Sequence, residues 1–214
     1  MGFRLTTADY VQWIKRAHKK LSENGEYITA LDAATGDGDH WTNLNMGFEK
    51  LLTISGELAG LLPAAALKKI GMTMMSTIGG SGGVLYGSAY IEAAKRLGDV
   101  EAFESGDICA MLEAMLAAIM SRGKSEPGHK TMIDALHPAV ERYKDCLQTG
   151  KSEAETLAIV KQAALGGAES TKEMPAVRGR AYYQGGRGVG HLDPGAVTMA
   201  YQIETLMDFI AEKL

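Results

Sequence analysis

Residues 32–45 read Asp32-Ala33-Ala34-Thr35-Gly36-Asp37-Gly38-Asp39-His40-Trp41-Thr42-Asn43-Leu44-Asn45. Three carboxylates, Asp32, Asp37 and Asp39, fall within eight residues, and polar side chains follow at His40, Thr42, Asn43 and Asn45. Asp and Gly are poor helix-interior residues, so Thr35 to Asp39 reads as a loop. Thr42 or Asn43 can then cap a helix. Two unit charges about 4 Å apart repel by roughly 1–4 kcal/mol between bulk water and a protein surface. Three gathered carboxylates therefore call for a cation, and oxygen ligands without a thiolate select Mg2+, Ca2+ or Mn2+. An EF-hand does not fit. Counted from Asp37, the fifth place is Trp41 and the sixth is Thr42, where glycine is required. A Mg2+ site that borrows phosphate oxygens fits better, because Mg2+ is seldom caged by protein alone. The plain structural alternative is a polar Gly-Asp-Gly-Asp turn that only caps a helix.

Outward from this stretch the chain reads as helices. Thr6 or Thr7 caps a first helix to about Glu23, with Asp9 in its first turn and Tyr10, Ile14 and Leu21 on its apolar face. A second helix is predicted from about Asn43 to Ala59, and a third from Pro63, a residue suited to a first turn, to about Ile78. Gly79-Gly80-Ser81-Gly82-Gly83 then opens a helix over Val84–Arg96. A glycine-rich turn before a helix exposes N–H groups that favour a phosphate, although it can also be an ordinary connection. Ser105 or Asp107 caps a fifth helix to Arg122. The following Gly123-Lys124-Ser125-Glu126-Pro127-Gly128-His129-Lys130-Thr131 resembles a Walker A loop and fails as one. His129 precedes Lys130-Thr131, and the segment follows a helix rather than a strand. A sixth helix runs from Thr131 to about Gln148, and a seventh from Ser152, with Glu155 at the capping-box position, to about Thr171.

Residues 174–195 form a long irregular segment carrying Arg178, Arg180 and Arg187, whose forks suit phosphate. Asp193 as N-cap with Pro194 in the first turn opens a last helix from Ala196 to about Lys213. The result is an all-α chain of eight helices. Its glycine- and aspartate-rich loops, 35–39, 79–83, 123–130 and 185–195, recur at about every second connection. Alternate connections of an up-down array lie at one end, so the four loops are expected to converge on one rim.

The whole comes to 214 residues with net charge −4, which favours one domain over 1–214 and argues against a nucleic-acid partner. No apolar run is long enough to span a membrane, and no signal peptide is evident. Cys109 and Cys146 sit in helical patterns without a partner motif, as expected of buried thiols in a cytoplasmic protein.

Several of these motifs occur in one order in a known family. Asp32…Gly36-Asp37-Gly38-Asp39-His40…Asn43, Gly79–Gly83, Ser121–Lys124, Pro127–Met132 and Gly190–Ala196 resemble the signatures of the dihydroxyacetone kinase L subunit, over nearly the whole chain. Two positions depart from that pattern. Trp41 stands where a small residue is usual, and Ser81-Gly82 where an Ala-Ser pair is common. The resemblance implies a closed barrel of eight antiparallel amphipathic helices with a nucleotide capping one end. It implies ADP/ATP and two Mg2+ ions as cofactors, with Asp32, Asp37 and Asp39 as metal ligands. His40, Trp41, Thr42 and Asn43 would line the nucleotide site, and Ser81 and Gly82 would contact phosphate. Gly123 and Met132 would border the nucleoside, and Arg180 with Asp193, Pro194 and Gly195 would close the pocket. By the same resemblance a phosphohistidine carrier subunit rephosphorylates bound ADP. The γ-phosphoryl then passes to dihydroxyacetone held on a K-type subunit. His40 would contact nucleotide or phosphate and need not itself be phosphorylated.

Two other readings stay open at this point. One is a kinase subunit that uses exchangeable ATP on another polyol or an acyl substrate. The other is a nucleotide-binding module that engages a transcriptional regulator and catalyses nothing.

Overall fold

The computed structural model describes residues 2–214, apart from the side chain of Arg187, so the expectation for that arginine lies outside the described residues. The described residues form ten α-helices: α1 Thr7–Glu23, α2 Gly25–Thr35, α3 His40–Thr53, α4 Ser55–Ala59, α5 Pro63–Thr77, α6 Gly80–Leu97, α7 Ser105–Gly123, α8 Ile133–Gln148, α9 Glu153–Ser170 and α10 Pro194–Ala211. Short 3-10 turns fill Thr171–Glu173, Arg180–Tyr183 and Gly185–Gly188. Among the described residues the only β pairing is an isolated bridge between Leu5 and Phe103. No helix among them is long and apolar enough to cross a membrane.

Local chemistry sets most of the boundaries. Thr6 and Asp9 satisfy one another's backbone N–H groups at the start of α1, and Ser152 and Glu155 do the same for α9. Asp193 caps α10 by accepting from Ala196 N–H at 2.7 Å, with Pro194 behind it. Three expectations shift. The helix α2 was not anticipated. The expected second helix begins earlier, at His40, and breaks at Ile54 into α3 and α4. The glycine-rich run is not a loop before α6 but its first turn, starting at Gly80. Tertiary fit overrides helix propensity there, since a Cβ on Gly83 would lie 2.3 Å from the Ile78 carbonyl oxygen.

One apolar core draws side chains from every α-helix, among them Ile14, Ile28, Leu44, Leu58, Ile70, Tyr86, Ile119, Leu136, Val160 and Ile203. The last helix is the most enclosed, buried almost throughout from Pro194 to Ile210. Small residues bring neighbouring backbones together. A Cβ on Gly71 of α5 would meet the Gly87 carbonyl of α6 at 2.7 Å. In α8, Pro138 has no N–H for the carbonyl of Asp134 one turn back. Gly167 of α9 sits against that carbonyl, where a Cβ would come within 2.1 Å.

Candidate functional site

The acidic residues converge. Asp32 ends up buried in the last turn of α2, and its carboxylate accepts the His40 N–H at 2.9 Å. That bond folds the 36–39 turn back over the helix end. Gly38 sits at φ +76°, a conformation that suits glycine and carries Asp37 and Asp39 to the same side. Ligand oxygens of Asp32, Asp37 and Asp39 all lie within 4.8 Å of one another. Asp37 and Asp39 stay half-exposed and open to a ligand. Arg180 bridges them, pairing closely with Asp37 and lying 3.5 Å from Asp39.

These side chains stand at the head of a cleft of about 550 Å3, a size suited to a small organic ligand. Helix N-termini surround it. α3 opens at His40, whose N–H is taken by Asp32, and α6 opens at Gly80 without a side-chain cap, so the remaining first-turn N–H groups are left for an anion. Asn43, Gly79, Ser81 and Gly82 line this part of the wall. Leu44, Ile78, Leu85, Tyr86, Ile119 and Met132 form an apolar wall, with Gly123 at its edge. Arg180, Asp193, Pro194 and Gly195 line the remaining side. All four predicted loops therefore contribute to one cleft. The long segment does so through 178–181 and 193–195 rather than 185–190. Two of the expected site residues are not part of the lining. The Trp41 ring turns toward Gly25 and lies 6.5 Å from the His18 ring, and the Thr42 side chain is exposed.

Charge in the cleft is shaped by burial. Desolvation lowers the His40 pKa against the opposing pull of Asp32 and Asp39, which favours a neutral ring. Burial pushes Asp193 up to about 7, although the Ala196 N–H and Lys130 both favour its charged form. Burial likewise lowers the Lys130 pKa.

Sequence reasoning gave Lys130 no role beyond the failed Walker match, yet it is one of the most enclosed side chains, 2% exposed. Its ammonium donates to the carbonyls of Thr171 and His191, the two ends of the long segment. The segment is fastened to the 123–130 loop by Arg178 Nε, which donates to the Lys124 carbonyl at 2.9 Å, and by Val177 N–H to the His129 carbonyl at 3.2 Å. Asp134 braces the same loop by accepting from Gly128 and Thr131 N–H. Lys130 sits at φ +60° and Lys124, in the same loop, at +45°, conformations rare for residues with a side chain, and no sequence pattern announces them.

A cluster of three carboxylates and the N-termini of α3 and α6 thus share one partly apolar cleft. The DAK2 domain family matches residues 34–208, and the chain belongs to that family. It is 35% identical over 202 residues to the ADP-binding subunit DhaL of the PEP-dependent dihydroxyacetone kinase of Escherichia coli K12, covering 94% of this chain and 96% of that subunit. Identity is also 35% over 212 residues with the ADP-binding subunit DhaL of the PTS-dependent dihydroxyacetone kinase of Lactococcus lactis, covering 97% and 100%. The dihydroxyacetone kinase of C. freundii, solved in complex with AMP-PNP and Mg2+, superposes with a TM-score of 0.73 at 25% identity over 97% of this chain. This chain spans 35% of that kinase's length. The resemblance read from the sequence is thereby borne out at the level of the family, and the all-helical fold matches that of the kinase.

Proposed function

We propose that this chain is the nucleotide-carrying subunit of a dihydroxyacetone kinase. Its bound ADP is rephosphorylated by a phosphohistidine carrier subunit, and the γ-phosphoryl is delivered to dihydroxyacetone on a K-type subunit. The observation that carries this reading is the Asp32, Asp37 and Asp39 cluster, with oxygens within 4.8 Å, at the head of a cleft that also takes in the N-termini of α3 and α6. Relatives of matching length are named as ADP-binding subunits of such kinases.

The donor set fits the cofactor. Three carboxylates are hard oxygen ligands suited to two Mg2+ ions, which when bound supply charge neutralisation for phosphoryl transfer. The rest is positioning, which is most of what phosphoryl transfer asks of a protein. His40 and Asn43, the N–H groups of Trp41 and Thr42, and Ser81 with Gly82 hold the phosphates. Gly123 and Met132 border the nucleoside. Arg180 and the turn of Asp193, Pro194 and Gly195 close over it. No side chain here needs to become phosphorylated.

We read residues 1–214 as one domain, in keeping with the single core. Counting α1 with α2, and α3 with α4, as bent single helices leaves the eight of a closed barrel. Two unpaired buried cysteines suit a cytoplasmic location.

Native mass spectrometry of desalted protein tests the proposal, with retained ADP and two Mg2+ expected. A protein that comes through empty and turns over free ATP with a K-type partner would instead be an ATP-dependent kinase subunit. Tight nucleotide binding without transfer to any K-type subunit would point to a module that engages a regulator.

A further inference from the structure

The buried hydroxyl of Thr198, in the first turns of α10, lies 3.0 Å from Nε2 of His40 and donates to the Gly195 carbonyl at 3.1 Å. The nitrogen of the Gln202 amide donates to the Tyr86 hydroxyl and to the Thr198 carbonyl, each at 3.0 Å. This chain has a direction. A backbone carbonyl only accepts, so the Gln202 atom beside it has to be the amide nitrogen, and that nitrogen only donates. The Tyr86 oxygen therefore accepts from Gln202. A hydroxyl has one proton and two lone pairs. In Thr198 the proton goes to the Gly195 carbonyl. With that proton engaged, the hydroxyl presents a lone pair to His40, and Nε2 at 3.0 Å brings the proton.

We propose that Thr198, whose hydroxyl proton is engaged by the Gly195 carbonyl, is a positioning residue that fixes His40 with a proton on Nε2 and leaves Nδ1 alone to address the bound ligand. The assignment holds whatever the charge on the ring, because Nε2 carries a proton in either case. It depends on the function proposed above only for the identity of the ligand. Among the described residues Nδ1 has no hydrogen-bond partner, and His40 lines the cleft one residue from Asp39. Its backbone is held by Asp32 at 2.9 Å and its ring by Thr198, so both ends of the residue are pinned.

The test uses full-length protein labelled with 15N-histidine, at pH 8, with and without Mg2+ and ADP. The five histidines are resolved by long-range 1H–15N correlation, with His40→Gln identifying the signal. In the wild type, Nε2 of His40 is expected to be protonated in both states. Thr198→Val keeps the side-chain shape and removes the acceptor. It is expected to populate both tautomers and to release ADP from the Mg2+-loaded protein about tenfold faster, the scale seen when partners of a metal-site histidine are removed. Thr198→Ser is expected to restore both readouts. A wild-type His40 protonated only on Nδ1 would overturn the proposal, as would a Thr198→Val protein with unchanged tautomer and release rate. Should calorimetry show no ADP binding by the wild type, the proposed function fails, and the wild-type spectra still decide how His40 is held.

Discussion

Arg180 reaches across the cleft to pair with Asp37, and a second guanidinium nitrogen lies 3.5 Å from Asp39. The long segment between α9 and α10 thus presents a cation to two of the three acidic side chains. A guanidinium placed so can serve either carboxylate or phosphate, since both accept its planar fork.

Arg180→Ala is accordingly expected to weaken ADP binding by roughly ten- to a hundredfold, the scale of a charge-assisted hydrogen bond. Stability should hardly change, because the Arg180 side chain is 61% exposed and such pairs contribute at most about 1 kcal/mol. Titration calorimetry with Mg2+ present, beside a melting curve of ligand-free protein, checks both halves.

Asp37→Asn should separate the metal from the fold. Ligand at a hundred times its dissociation constant stabilises a protein by about 2.7 kcal/mol, or roughly 5–10 °C at this chain length. The variant is expected to lose that increment in Mg2+ and ADP, yet to melt no lower than wild type without ligand, since the lost charge faced two others. Retention of the full ligand-induced shift would remove Asp37 from the metal site.

Stability should also depend on Asp193. Its folded-state pKa, raised by burial from 3.8 to about 7, means that the folded chain holds a proton the unfolded chain has released between these values. The proton's contribution is fully present below about pH 4, falls as pH rises, and is gone above about 7. Asp193→Asn keeps a capping oxygen for α10 and removes this dependence. It is expected to melt above wild type at pH 8, with the difference vanishing toward pH 4. Parallel melting curves across that range would contradict the assignment.

Lys130→Met keeps the bulk of a buried stem and deletes its ammonium. The Thr171 and His191 carbonyls lose their donor, a loss of about 1–3 kcal/mol for each group left unsatisfied. We expect a destabilisation of about 2–5 kcal/mol by chemical denaturation, with new proteolytic cleavage confined to 172–190. Cleavage spread over the chain would indicate general unfolding instead.

The sequence was most legible where a local rule and a tertiary need coincided. The pairs Thr6–Asp9 and Ser152–Glu155, and Asp193 with Pro194, each announce a helix start that the fold uses. The acidic loop was legible because its charges demand a partner wherever they are brought together. Other features were hidden by what lies across space from them. A side chain at position 83 would run into the Ile78 carbonyl, and Gly167 seats against the Asp134 carbonyl that Pro138 leaves without its helical donor. Lys130 reads as a solvated cation until the two carbonyls that enclose it are known. Thr198 and Gln202 look like chance polar residues in an apolar helix until Tyr86 and His40 are placed beside them. The helix α2 escaped notice because its only buried residues are Gly25, Ile28, Asp32 and Thr35, too few apolar positions to mark a face.

The clasp at Lys130 has a bearing on how this part of the chain can vary. Because one ammonium gathers both ends of the long segment, the geometry at Asp193 does not depend on the number of residues between those ends. Insertions or deletions around 184–187 should therefore leave the N-terminus of α10 where it is. That stretch is the natural place for such proteins to differ in length without disturbing what they hold.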